Sequence, residues 1–126
     1  MRLFLYGTLL NPRVLRRRSG DPRLARRGCA ATLHGHARVP FRGTPFPTLL
    51  FRPGGRVDGL LVRPGAAALR ALRRYEGPCY RLLPVRVRTA RGAATARAFA
   101  VPRWMAAAER AWFPAEPFRR AGGVRP

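Results

Sequence analysis

Five carboxylates, Asp21, Asp58, Glu76, Glu109 and Glu116, are all that the sequence offers for general acid–base work. Asp21 precedes Pro22 in a turn, Glu109 falls on a predicted helix, Glu116 in a predicted tail, and Asp58 in a predicted strand beside Gly59. Glu76 is different. It ends a predicted helix, where the macrodipole disfavours negative charge, so helix stability does not account for it. Two readings follow: an ion pair with Arg73 or Arg74 or a solvated side chain, or a carboxylate held for chemistry.

Tyr6-Gly7-Thr8-Leu9 is the second candidate. A strand ends there, glycine permits a tight backbone, and a helix starts after Asn11. Successive N–H groups in such a turn can face a carboxylate or a developing oxyanion, or the segment is an ordinary strand–turn–helix junction. His34 and His36 share a strand face with Arg38, but no third metal ligand is identifiable, so they read as half-exposed strand residues and no metal is expected. Cys79 follows Glu76 by three positions. A Cys–His nucleophile is conceivable there, yet a small buried hydrophobe is the preferred reading. Arg16-Arg17-Arg18 and Arg26-Arg27 read as solvated basic faces rather than a specific phosphate site.

The elements that must position these residues follow from periodicity and breakers. Residues 2–6 form a short apolar run and predict a buried strand. Asn11 and Pro12 suit a helix start, with the helix reaching about Arg18 and Gly20 ending it. Residues 29–39 alternate: Cys29, Ala31, Leu33, Gly35, Ala37 and Val39 share one face. Strands over 48–52 and 56–62 are predicted as a hairpin around Pro53-Gly54-Gly55. Pro64-Gly65 opens a helix carrying Ala66, Leu69 and Leu72, and Gly77-Pro78 stops it. Residues 80–89 and 95–101 predict a second hairpin turning at Arg91-Gly92, and 103–112 a last short helix. The expected architecture is α+β: a curled antiparallel sheet or small barrel with short helices. One domain over 1–113 is expected, with a loosely held tail over 114–126.

Composition bounds the class. The chain has 126 residues, and its hydrophobic fraction of 47 % can form a packed core despite the charge. All 26 basic residues are Arg, against five acids, for a net charge of +21. Lys, Ile and Gln are absent, Asn occurs once and Ala 20 times, the signature of GC-rich coding, so charge alone does not make a nucleic-acid binder. Cys29 and Cys79 make neither a disulfide framework nor a CxxC pair. The apolar start, residues 1–10, runs into Asn11-Pro12-Arg13 without a small-x-small cleavage site, and apolar runs fall short of the ~20 residues that span a bilayer. A cytoplasmic, monomeric protein without membrane partners is expected.

Taken in order, Phe4-Leu5-Tyr6-Gly7-Thr8-Leu9, Phe46-Pro47-Thr48-Leu49, Val57-Asp58-Gly59-Leu60, Leu69, Leu72, Arg74-Tyr75-Glu76-Gly77, Tyr80, Val85, Val87 and the strand over 96–99 resemble the γ-glutamylcyclotransferase-like superfamily, nearest its AIG2-like branch. The resemblance spans residues 2–101. It implies a small antiparallel barrel with flanking short helices and a cavity lined by the first turn. On this chain it implies Glu76 as the acid/base, Tyr6, Gly7, Thr8 and Leu9 as cavity lining, and Tyr80 as a wall. Two positions depart from the family pattern. Arg73 replaces an Asp that members often carry before Tyr-Glu-Gly, and Phe99 replaces an aromatic hydroxyl on the late strand.

The implied reaction closes a γ-glutamyl amide on itself. The substrate's α-amine attacks its own γ-carbonyl, which gains from proximity, and 5-oxoproline and a free amine or amino acid result. One carboxylate can move the proton and backbone N–H groups can steady the oxygen, so no cofactor is implied. The contrasting expectation is a basic nucleic-acid-binding module, which would show a continuous Arg stripe with stacking aromatics such as Phe41, Phe46 or Trp104. A non-catalytic relative acting as an interaction protein is a third. In the enzyme reading, nucleic acid binds only non-specifically and at low salt.

Overall fold

The computed structural model describes residues 1–113. The tail expected over 114–126 lies outside the described residues. Five strands close into a barrel in the order β1-β3-β2-β4-β5. They are β1 (Leu3–Leu5), β2 (Cys29–Pro40), β3 (Pro47–Val62), β4 (Arg81–Thr89) and β5 (Gly92–Ala100), with helices α1 (Pro12–Ser19) and α2 (Ala66–Glu76). This is the α+β barrel expected, with one parallel seam. At that seam β1 runs parallel to β5, Leu3 faces Arg97, and the Arg97 N–H donates to the Arg2 carbonyl at 2.9 Å.

Alternation in β1 divides its side chains between two cores. Phe4 points into the barrel with Tyr6, Leu33, Val57 and Ala98. Leu3 and Leu5 point outward into a second cluster with Leu15 of α1, Leu72 of α2 and Phe99. All three residues of β1 are buried. The helix boundaries follow the local signals. The Asn11 side chain accepts the Arg13 N–H at 3.0 Å, and Gly20 ends α1 with φ +75°. At the end of α2, Gly77 adopts φ +89° and its N–H donates to the Arg73 carbonyl at 3.1 Å.

Two expectations are corrected. Residues 48–52 and 56–62 are not the arms of a hairpin. Both belong to β3, and both pair with β2: His34 faces Arg56 and His36 faces Phe51, so residues 52–55 bulge opposite Gly35. The Pro53-Gly54-Gly55 chemistry fits a bulge equally well. Pro53 has no N–H to give a ladder, and Gly54 takes φ +80°. A Cβ on Gly55 would lie 2.4 Å from the His36 carbonyl oxygen, so only glycine fits there. The helix expected over 103–112 reduces to a 3-10 turn at Arg103–Met105. Here tertiary hydrogen bonds override helix propensity. The Ala107 N–H donates to the Pro40 carbonyl at 2.9 Å, the Trp112 N–H to the Arg38 carbonyl at 3.1 Å, and the Trp112 indole to the Pro45 carbonyl at 2.8 Å. Glu109 therefore sits in a turn, 3.8 Å from Arg42.

Leu72 is fully buried and is the side chain through which α2 grips the second core. Leu72→Ala should lower unfolding free energy by about 2–5 kcal/mol, the usual cost of a cavity at a core leucine, read by urea denaturation. A loss below about 1 kcal/mol would mean that α2 is held by something else.

Candidate active site

β1 delivers the chain to Tyr6 and Gly7, and a 3-10 turn over Thr8–Leu10 leads into α1. Gly7 is required by a close approach: a Cβ there would sit 2.6 Å from Cγ of Pro47. The strand end is pinned from both sides. Arg38 donates to the Tyr6 carbonyl at 2.7 Å, and the Tyr6 hydroxyl donates to the Phe99 carbonyl. Opposite this turn, the last residues of α2 bring Tyr75 and Glu76 inward. Tyr75 meets the Thr8 hydroxyl at 3.2 Å, and the Arg18 guanidinium lies 4.8 Å from its ring centre. Tyr80, just past the helix, donates its hydroxyl to the Pro47 carbonyl at 2.7 Å and packs edge-on against Phe41.

These elements enclose a cavity of about 80 Å³ whose walls include Tyr6, Gly7, Thr8, Leu9, Glu76 and Tyr80. That is room for a few water molecules, in a mostly apolar lining. All six residues singled out by the sequence thus border one cavity, although Glu76 lies about seventy positions from the turn. Tyr75, Phe46 and Pro47 border it too and were not expected to, and so does Phe99, the departure noted on the late strand. Tyr75 could have been found as the residue adjoining Glu76; Phe46-Pro47 carried no signal of position until β3 was placed beside β1.

Among the described residues the Glu76 carboxyl has no hydrogen bond or salt bridge, and Arg73 and Arg74, both exposed, do not pair with it. Burial therefore acts on the carboxyl without compensation and raises it from 4.5 to about 7. Burial also raises Tyr6 and Tyr80, each further disfavoured as an anion by its neighbours, Glu76 among them. The other described carboxylates are solvated and compensated. Asp21 is held below its usual range by the Arg23 N–H and by Arg27 at 2.8 Å, and Asp58 by the Thr32 hydroxyl and by Arg56 at 3.1 Å.

The remaining candidates do not join the cavity. The His36 Nδ1 meets the His34 carbonyl at 3.1 Å, and no cluster of three metal-ligating side chains occurs among the described residues. Cys79 is half-buried and Cys29 exposed.

The sequence model of the family described as gamma-glutamyl cyclotransferase, AIG2-like, matches residues 3–119. The chain belongs to this family. No curated protein matches it. Among solved structures, this AIG2-like chain is similar to an Arabidopsis thaliana protein at 19% identity and TM-score 0.72, over 97% of this chain and 82% of that one. A gamma-glutamyl cyclotransferase is 18% identical with TM-score 0.70, over 96% and 75% of the two chains. An AIG2-like protein from Mus musculus is 17% identical with TM-score 0.51, over 91% and 96%. At these identities the likeness shows the fold. Phe99, at the expected departure on the late strand, offers the AIG2-like cavity a ring, while its carbonyl takes up the Tyr6 hydroxyl. No helix among the described residues is long and apolar enough to cross a membrane.

A carboxyl raised to about 7 favours the protonated folded state. The Glu76 contribution to stability is therefore full below about pH 4.5, falls as pH climbs to about 7, and is level above it. Glu76→Gln removes this dependence. It should stabilise the protein by roughly 3 kcal/mol at pH 8 relative to its effect at pH 4, since each pKa unit is worth about 1.4 kcal/mol. Urea denaturation at both pH values checks this; a pH-independent difference would show Glu76 to be solvated.

Proposed function

We propose that this family member is an active γ-glutamyl cyclotransferase, converting a small γ-glutamyl amide into 5-oxoproline and a free amine or amino acid. The observation that carries this reading is Glu76: a carboxyl without a partner among the described residues, raised to about 7, bordering the same cavity as the Tyr6-Gly7-Thr8-Leu9 turn. A base poised near neutrality can take a proton and return it within one turnover.

In the proposed step the substrate's α-nitrogen forms a bond to its own γ-carbonyl carbon. Ionised Glu76 accepts the proton that this nitrogen sheds, and negative charge develops on the carbonyl oxygen. N–H groups of residues 7–9 are the donors available to that oxygen. The bond from the carbonyl carbon to the leaving nitrogen then breaks, and Glu76 returns the proton to that nitrogen. Tyr6 and Tyr80 keep neutral hydroxyls, already committed to the Phe99 and Pro47 carbonyls, so they act as walls and supports rather than as bases. The apolar lining limits competing water and holds the substrate folded, where the intramolecular attack gains most. Phe41 packs behind Tyr80 and Phe46 borders this cavity, whereas Trp104 stands exposed outside it.

Mass-spectrometric screening of γ-glutamyl compounds for 5-oxoproline release tests the reading. Glu76→Gln should reduce turnover by about 10²–10⁴-fold on any substrate found. In the wild type, kcat should rise with pH up to about 7 and then level off, because the ionised carboxylate is the competent form. Undiminished turnover in Glu76→Gln would remove Glu76 from the mechanism.

A further inference from the structure

A second concavity lies away from Glu76, at the barrel seam, and four of its lining residues are Arg2, Arg63, Arg86 and Arg97. It is an open cleft of about 810 Å³. Strand pairing brings the four together. Leu3 pairs with Val62, which sets Arg2 opposite Arg63 just beyond the paired ends of β1 and β3. Arg97 bonds back to Arg2 through the seam. On the neighbouring hairpin Pro84 pairs with Arg97 and Arg86 with Thr95, so Arg86 and Arg97 are diagonal neighbours on the outward face. Val87, Ala96 and Ala98 are buried inward.

Clustered like charges on adjoining strands repel, and no carboxylate among the described residues offsets them. All four described carboxylates are engaged elsewhere: Asp21 with Arg27, Asp58 with Arg56, Glu109 with Arg42, and Glu76 in its own cavity. None of the four arginines has a salt bridge among the described residues. We infer that this cleft binds the phosphate backbone of a nucleic-acid strand. Guanidinium groups match phosphate oxygens in a two-pronged geometry and keep their charge at every physiological pH. The rest of the lining, Met1, Pro84, Val85, Thr95 and Ala96, has no aromatic ring to stack a base. Recognition is therefore of backbone charge, independent of base identity, and an open cleft suits a continuing strand better than a compact anion that must be enclosed.

The test separates this cleft from the protein's general charge. Anisotropy of a labelled poly(dT) of ~20 nucleotides is followed as salt rises from about 50 to about 200 mM. Three proteins are compared: wild type, R2Q/R63Q/R86Q/R97Q, and the charge-matched control R13Q/R17Q/R23Q/R26Q, which alters exposed arginines outside both clefts. The cleft variant should lose about 3 from the slope of log affinity against log salt, since each phosphate contact on a single strand contributes about 0.7. The control should keep most of the wild-type slope. Equal losses in both variants, or a wild-type slope in the cleft variant, would overturn the inference. So would cleft-dependent binding to phosphatidylserine vesicles without binding to the oligonucleotide. Circular dichroism verifies folding. Should the fourfold variant not fold, R63Q/R86Q carries the same test, with an expected slope loss of about 1.4.

Discussion

Ionising Glu76 inside its cavity is costly, and the surrounding packing exists in a form that can bear that cost. A carboxylate drawn out of water without a cation remains buried only if its backbone cannot retreat. α2 cannot retreat because Leu72 is fully buried between β1 and α1. The facing turn cannot retreat because Gly7 lies against Pro47 and Arg38 holds the Tyr6 carbonyl. Tyr80 closes the same side by its bond to Pro47. Each restraint comes from a different stretch of chain, and together they hold the carboxyl in the cavity wall, away from the arginines that precede it.

In a chain with 26 arginines, a partnerless acid is an exception produced by geometry. Arg73 and Arg74 are next to Glu76 in sequence, yet the helical turn carries them to the exposed face while Glu76 faces inward. The same inversion explains why arginine density alone does not describe the surface. Asp21, Asp58 and Glu109 each take one arginine, and the seam cleft has none of these acids to share.

Much of this was legible before any coordinates. Asn11, Pro12 and Gly20 bound α1 as capping chemistry dictates, and Gly65 and Gly77 bound α2. The family motifs pointed to Tyr6, Glu76 and Tyr80 as neighbours of one cavity. What stayed hidden depends on partners rather than on local chemistry. Pro53-Gly54-Gly55 satisfies a hairpin turn and a bulge alike, and only the shared partner β2 separates them. The alanine-rich stretch before Trp112 reads as helix until the carbonyls of Arg38, Pro40 and Pro45 claim its donors. Tyr75 enters the site because Thr8 and Arg18 lie where α1 and α2 meet.

The seam between Leu3 and Arg97 also bears on biogenesis. The strand synthesised first has β3 on one side and the last strand on the other. While the chain is still emerging from the ribosome, β1 has only one of its two neighbours, and the barrel stays open until β5 is available. The turn at Gly7 and the end of α2 both adjoin that seam's strand, so the cavity is completed late. Joining ends this distant carries a large loop-closure cost and slows folding relative to locally wired folds. Until then Leu3, Phe4 and Leu5 present an apolar edge, the segment of the nascent protein most in need of shielding.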